Sequence, residues 1–140
     1  MRIARLCCLL LLAGSSFVAQ ARMVHRSVAW TLDGTHFSSV LVYDDASTAK
    51  RPGLVMVPNW YGINEVAVKK AEMIAGKDYV ILLVDMYGAN VRPQLGNAAQ
   101  AQAAVKPLYG DRALMRKRID TALEQLKAQA GSAPIELSKL

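Results

Sequence analysis

Gly53-Leu54-Val55-Met56-Val57-Pro58-Asn59-Trp60-Tyr61-Gly62-Ile63-Asn64 decides how the chain is read. Leu54 to Val57 is a short apolar run between Pro52-Gly53 and Pro58. A run of that length and punctuation predicts a strand buried on both faces. Two amides and two aromatic rings follow, and then a helical pattern opens near Glu65. The turn between a buried strand and a helix is where open parallel sheets place ligands. Its main-chain N–H groups can also hold negative charge. The plainer alternative is a wet loop with two surface aromatics. Trp and Tyr side by side favour a site.

Working outward, Val24 to Leu32 and Thr35 to Tyr43 alternate and are rich in β-branched residues, so both predict strands. Asp33-Gly34 between them predicts a type I′ hairpin turn. Asp44 to Pro52 reads as a polar loop. Glu65 to Ala75 predicts a helix, with Val66, Ala67, Ala71, Ile74 and Ala75 on its apolar face. Asn64 is placed to cap its start and Gly76 its end. Tyr79 to Val84 is a second continuous apolar run and predicts another buried strand, followed by Asp85-Met86-Tyr87-Gly88. Strand, helix and strand with two fully apolar strands is the pattern of a parallel sheet.

Beyond a loop at Asn90 to Gly96, Asn97 to Lys106 predicts a short helix ended by Pro107. Asp111 to about Ala130 predicts a longer one, with Met115, Ile119, Ala122, Leu123 and Leu126 as its stripe and Gly131 as its stop. Ser132 to Leu140 reads as a loop. No repeat or linker divides the chain, so residues 22–140 predict one α/β domain.

Residues 1–21 read as a signal peptide. Arg2 and Arg5 supply the basic start, Leu6 to Ala13 the apolar core and Ala19-Gln20-Ala21 a cleavage site. The core is too short to span a bilayer. Export to the periplasm or beyond follows, with no membrane attachment after cleavage. Cleavage removes Cys7 and Cys8, leaving no disulfide, thiolate nucleophile or thiolate metal site. Losing Arg2 and Arg5 leaves fifteen basic residues against eleven acidic, a formal charge of +4. The basic residues, such as Lys69-Lys70 and Arg116-Lys117-Arg118, are scattered over predicted helix surfaces without interleaved aromatics. That pattern speaks against a nucleic-acid partner.

The chemistry-bearing motifs are few. No G-x-S-x-G, G-x-C-x-G, G-x-G-x-x-G or Walker pattern occurs, and neither nucleotide nor other cofactor is implied. Ser47-Thr48-Ala49-Lys50 matches S-x-x-K but lies in a polar loop, where the lysine is not held beside the serine on a helix. His25 and His36 fall in the predicted hairpin without a carboxylate cluster, so they read as ordinary strand residues and no metal site is expected. Asp85 stands at a strand's carboxyl end. A catalytic role is open to it, but capping of the following turn is the reading favoured.

Taken together, these residues resemble the dienelactone hydrolase family of the α/β-hydrolase fold. Arg51 to Asn64 is similar to the family's strand-three block. Lys77 to Gly88 is similar to its next strand, which ends in Asp-x-Tyr-Gly. Asp111 to Ala130 sits where the family places the helix before its nucleophile strand. The resemblance implies a carboxylic-ester or lactone hydrolase in which a Cys or Ser attacks the carbonyl and a His, oriented by an Asp, takes the proton. It places the Trp60 N–H in the oxyanion hole, and Asn59, Tyr61 and Tyr87 around a small-molecule ester or lactone. Asn59 stands where many members carry a Glu, and Asn cannot act as a base. Some members carry an Arg just after Asp-x-Tyr-x, where this chain has Ala89, with Arg92 three residues on.

In that family the nucleophile, Asp and His all follow the long helix. The resemblance therefore implies that residues 22–140 are the N-terminal part of the fold, lacking the nucleophile strand onward, with no catalytic residue of the triad present and no turnover by this chain alone. Pro134 to Leu140 is similar to the lead-in to the nucleophile strand. The Leu54 to Val57 strand is then expected to present an open apolar edge. A ligand-binding remnant and an inert fragment stand as the alternatives to an enzyme.

Overall fold

The computed structural model describes residues 22–140. The expected signal peptide lies outside the described residues. Strands β1 (Met23–Leu32) and β2 (Thr35–Asp44) form the hairpin in unbroken antiparallel register from Met23 with Asp44 to Leu32 with Thr35. Its turn has positive φ at both Asp33 and Gly34, as a type I′ turn requires. Strand β3 (Arg51–Met56), helix α1 (Glu65–Ala75) and strand β4 (Val80–Leu83) form the parallel unit, with Leu54 opposite Ile81 and Val55 opposite Leu82. Helices α2 (Ala98–Gly110) and α3 (Arg112–Ala128) follow, then a single 3₁₀ turn and strand β5 (Ile135–Glu136). The sheet order is β1-β2-β4-β3-β5, with β4, β3 and β5 running parallel and the hairpin joined antiparallel at one side.

Strand β4 is central, and every one of its residues is fully buried. Its alternation feeds two cores. Val80 and Leu82 pack with Trp30, Phe37, Leu41, Leu108 and Leu126 under α2 and α3. Ile81 and Leu83 pack with Val42, Ala67, Ala71 and Ala75 under α1. A buried leucine contributes about 2 kcal/mol by transfer from water, so this one strand anchors both layers.

Several expectations change. The buried face of α1 is narrower than its periodicity suggested. Ala67, Ala71 and Ala75 line up at a spacing of four and let the helix sit close to the sheet, which leaves Val66 and Ile74 substantially exposed. Pro107 does not end α2. It lies in the last turn on the exposed side, as does Ala103, whose carbonyl it deprives of a partner, so water can satisfy that group. The loop after β2 is not wholly polar surface, because the Arg51 side chain is buried and donates from Nη2 to the Asp44 carbonyl at 2.7 Å. The final segment is not simply a loop. Ile135 and Glu136 pair with Arg51 and Pro52, Gly53 N donates to the Lys139 carbonyl, and Leu140 packs against Gly53. The first half of the β3 edge is thus covered, Arg51 and Pro52 by β5 and Gly53 by the Lys139 carbonyl, and Leu54 to Met56 has no such cover among the described residues. No helix among the described residues is long and apolar enough to cross a membrane.

Candidate active site

The carboxyl ends of β3 and β4 lie side by side and launch two turns. After β4, Asp85 is 2% exposed and its carboxylate is fully engaged. Oδ1 accepts from the N–H groups of Tyr87 (3.1 Å) and Gly88 (3.0 Å). Oδ2 accepts from Ser38 N and from Arg92 Nη2, both at 3.0 Å. Arg92 also donates to the carbonyls of Gly88 and Ser38, tying this turn to the hairpin. Asp85 is the expected cap, and its oxygens have no capacity left for chemistry. Behind it, Ser39 Oγ accepts from Trp30 Nε1 and from Asp85 N. Arg118 on α3 donates to the Met86 carbonyl and lies over the Phe37 ring, 5.1 Å from its centre. Burial pulls the Arg118 guanidinium below its ordinary value, partly offset by Asp85 and Asp33.

The turn after β3 is held differently. Asn59 Oδ1 accepts from Tyr61 N at 3.0 Å, and the Asn59 carbonyl accepts from Gly62 N at 2.9 Å. These are an Asx turn and a β-turn on the same residues. The Tyr87 hydroxyl donates to the Trp60 carbonyl at 2.9 Å, joining the two turns. Burial first, and then the nearby Tyr109, push the Tyr87 phenol above its ordinary value, so it stays protonated at neutral pH. Asn64 Oδ1 accepts from Ala67 N and starts α1. Trp60 N, flanked by these fixed groups, has no acceptor among the described residues.

A cavity of about 300 Å³ opens beside Trp60. Val57, Pro58, Asn59 and Trp60 supply one wall, and Met86 and Tyr87 supply the floor from the β4 side. Val105, Leu108 and Tyr109 of α2 and Met115 of α3 close it. Three of the four residues expected around a ligand therefore meet at one cavity. Tyr61 does not line it and instead packs edge-on to Trp60, with ring centres 5.4 Å apart. The helix contribution was not anticipated, although Val105 and Leu108 stand three apart on the same face of α2 as Ala101. A larger cavity of about 560 Å³, lined by Arg92 and Arg118 among others, lies alongside and shares Tyr87.

The remaining candidates lie elsewhere. His25 Nε2 meets Glu72 of α1 at 2.7 Å, and His36 Nδ1 meets Thr31 Oγ1 at 3.0 Å. Ser47 Oγ accepts from Ala49 N in a loop, without a helix to bring Lys50 beside it. Among the described residues no three His, Cys, Asp or Glu side chains converge on a point.

The dienelactone hydrolase family model matches residues 37–137, and the chain belongs to that family. It is 32% identical over 103 residues to a probable 2-oxo-3-(5-oxofuran-2-ylidene)propanoate lactonase of Bradyrhizobium sp., covering 72% of this chain and 41% of that protein. Among solved structures it is similar to a dienelactone hydrolase-like promiscuous phosphotriesterase from metagenomic libraries, at 30% identity and a TM-score of 0.73, covering 84% of this chain and 46% of that one. A dienelactone hydrolase from Klebsiella pneumoniae, described as putative, shares the fold at 10% identity and a TM-score of 0.60, over 85% of this chain and 48% of that one. The chain thus spans somewhat under half the length of the relatives it matches.

Proposed function

We propose that this chain supplies the oxyanion and substrate-pocket side of an exported carboxylic-ester or lactone hydrolase. The observation that carries the reading is Trp60, which lines a cavity at the strands' carboxyl ends and whose N–H, in a turn fixed by its neighbours, has no acceptor among the described residues. Such a donor stabilises the oxygen on which charge develops when a carbonyl is attacked. The family relationship and the lactonase relative support the same reaction class. The cavity lining contains no Ser, Thr, Cys or His. The nucleophile, His and Asp of the reaction are accordingly not assigned to any residue of this chain.

A chimera in which this chain replaces the matching part of the Bradyrhizobium lactonase tests the proposal. It is expected to hydrolyse 4-nitrophenyl acetate above background. Trp60→Pro, which deletes the N–H, is expected to lower kcat about 10²–10³-fold, while Trp60→Phe retains most of it. Equal rates for the two variants would defeat the oxyanion assignment. The same lining supports a second reading, a ligand-binding remnant of the fold. Saturable binding by the chain with no turnover in the chimera would favour it.

A further inference from the structure

The cavity beside Trp60 differs from its surroundings in one respect: none of its lining side chains is charged at neutral pH. Burial pushes the Tyr87 phenol above its ordinary value and keeps it protonated there. The nearest cations, Arg92 and Arg118, line the larger cavity on the other side of Tyr87 and not this one. Arg92 is engaged by Asp85 and three carbonyls, and Arg118 donates to the Met86 carbonyl. Lys106, Arg112 and Arg116 face separate grooves on the outer side of Tyr109 and Met115. A carboxylate entering this cavity would shed water without meeting a cation, which disfavours it strongly. An apolar or aryl group meets Trp60, Leu108, Tyr109 and Met115 and gives up nothing.

We infer that this cavity selects ligands whose carbonyl carries a neutral, apolar or aryl substituent, and discriminates against the same ligand bearing a carboxylate. The inference rests on the reading of the cavity as a hydrolase's substrate site, whose substrate class it names. Trp60 supplies the N–H that the carbonyl oxygen accepts, and Tyr109 and Met115 set the preference for a neutral substituent.

The test is titration of the full chain at pH 7 with 4-methylacetophenone and with 4-acetylbenzoate. These ketones are close in shape, are not hydrolysed and differ by one charge. The Trp60 backbone amide resonance is followed. The neutral ketone is expected to bind at least tenfold more tightly and to shift that resonance. Met115→Lys is expected to shrink the ratio at least tenfold. Tyr109→Ala, at a side chain 71% exposed and so tolerant of change, is expected to weaken the neutral ketone at least threefold. Equal or tighter binding of the anion overturns the inference, as does failure of both ketones to move the Trp60 amide. If the neutral preference holds while the chimera is inactive, the hydrolase reading fails and the neutral site stands.

Discussion

The turns after β3 and β4 occupy equivalent places in the fold, yet they are built in opposite ways. The β4 turn is organised by a buried carboxylate that accepts four hydrogen bonds and pairs with Arg92. The β3 turn is organised by Asn59, an exposed neutral amide, and leaves the Trp60 N–H beside it without an acceptor among the described residues. A carboxylate whose oxygens are all engaged internally offers a ligand nothing. A turn that keeps a rigid donor and two aromatic rings at the surface offers both polarity and shape. Position at a strand's carboxyl end therefore marks where a site can be, and hydrogen-bond accounting tells which side chains are already spent on structure.

The largest effect that follows is at the β4 turn. Asp85→Ala removes the partner of Arg92 and orphans the N–H groups of Ser38, Tyr87 and Gly88. Breaking a buried pair of this kind costs about 3–5 kcal/mol. Urea denaturation is expected to show it as a lower midpoint at unchanged slope, and a loss near zero would erase the contrast between the turns. Next comes Gly62, where φ is +67° and an added Cβ would lie 3.2 Å from the Tyr87 ring. Gly34 also has positive φ, at +76°, but open space around it. Each Gly→Ala change costs about 1–2 kcal/mol from backbone conformation. Gly62→Ala is expected to cost more than Gly34→Ala, and the difference between the two denaturation midpoints measures contact with Tyr87.

Much of this was legible in the sequence, for identifiable reasons. The two unbroken apolar runs and Asp33-Gly34 mark the strands and the hairpin, but only the β4 run is buried on both faces: Leu54, Val55 and Met56 are half-buried and Val57, beyond the strand, is 48% exposed, because no strand covers that part of the β3 edge among the described residues. Asn64 and Asp111 mark helix starts, since only a short polar side chain can accept from the N–H three residues on. The pairing of β5 with β3 was not legible, because two residues carry no periodicity and Ile135 is held by register across the sheet. The walls from α2 and α3 were missed for a similar reason. Which apolar side chains of an Ala-rich helix border a cavity depends on the angle of packing, and sequence spacing does not specify it. Tyr61 was grouped with Trp60 by adjacency, but successive residues in a turn point different ways.

Within the β3 turn a smaller effect separates geometry from charge. Asn59→Ala loses the bond from Tyr61 N and is expected to cost about 1 kcal/mol. Asn59→Asp keeps an acceptor oxygen in that place, so thermal unfolding should return most of the loss. If Asp is as costly as Ala, the turn depends on the amide's donor side rather than on the Asx turn seen here.

The smallest expected effect is the bond that joins the two turns. Tyr87→Phe deletes the donor to the Trp60 carbonyl, and because that contact is open to solvent the cost should stay near the lower end of a hydrogen bond's range, roughly 0.5 kcal/mol. Its pH dependence is the sharper readout. The Tyr87 phenol titrates above its ordinary value in the folded chain because burial disfavours the phenolate. A group whose folded value is raised contributes stability that is present below its unfolded value and is lost as pH rises through the folded one. The chain should therefore lose stability on the alkaline side of the ordinary tyrosine range, and Tyr87→Phe should lose less there while differing little at neutral pH. Ultraviolet titration of the phenols, compared between the chain and Tyr87→Phe, is expected to remove a late-titrating tyrosine. Removal of an early one instead would mean that the Tyr87 hydroxyl is solvated and that the two turns are not joined through it.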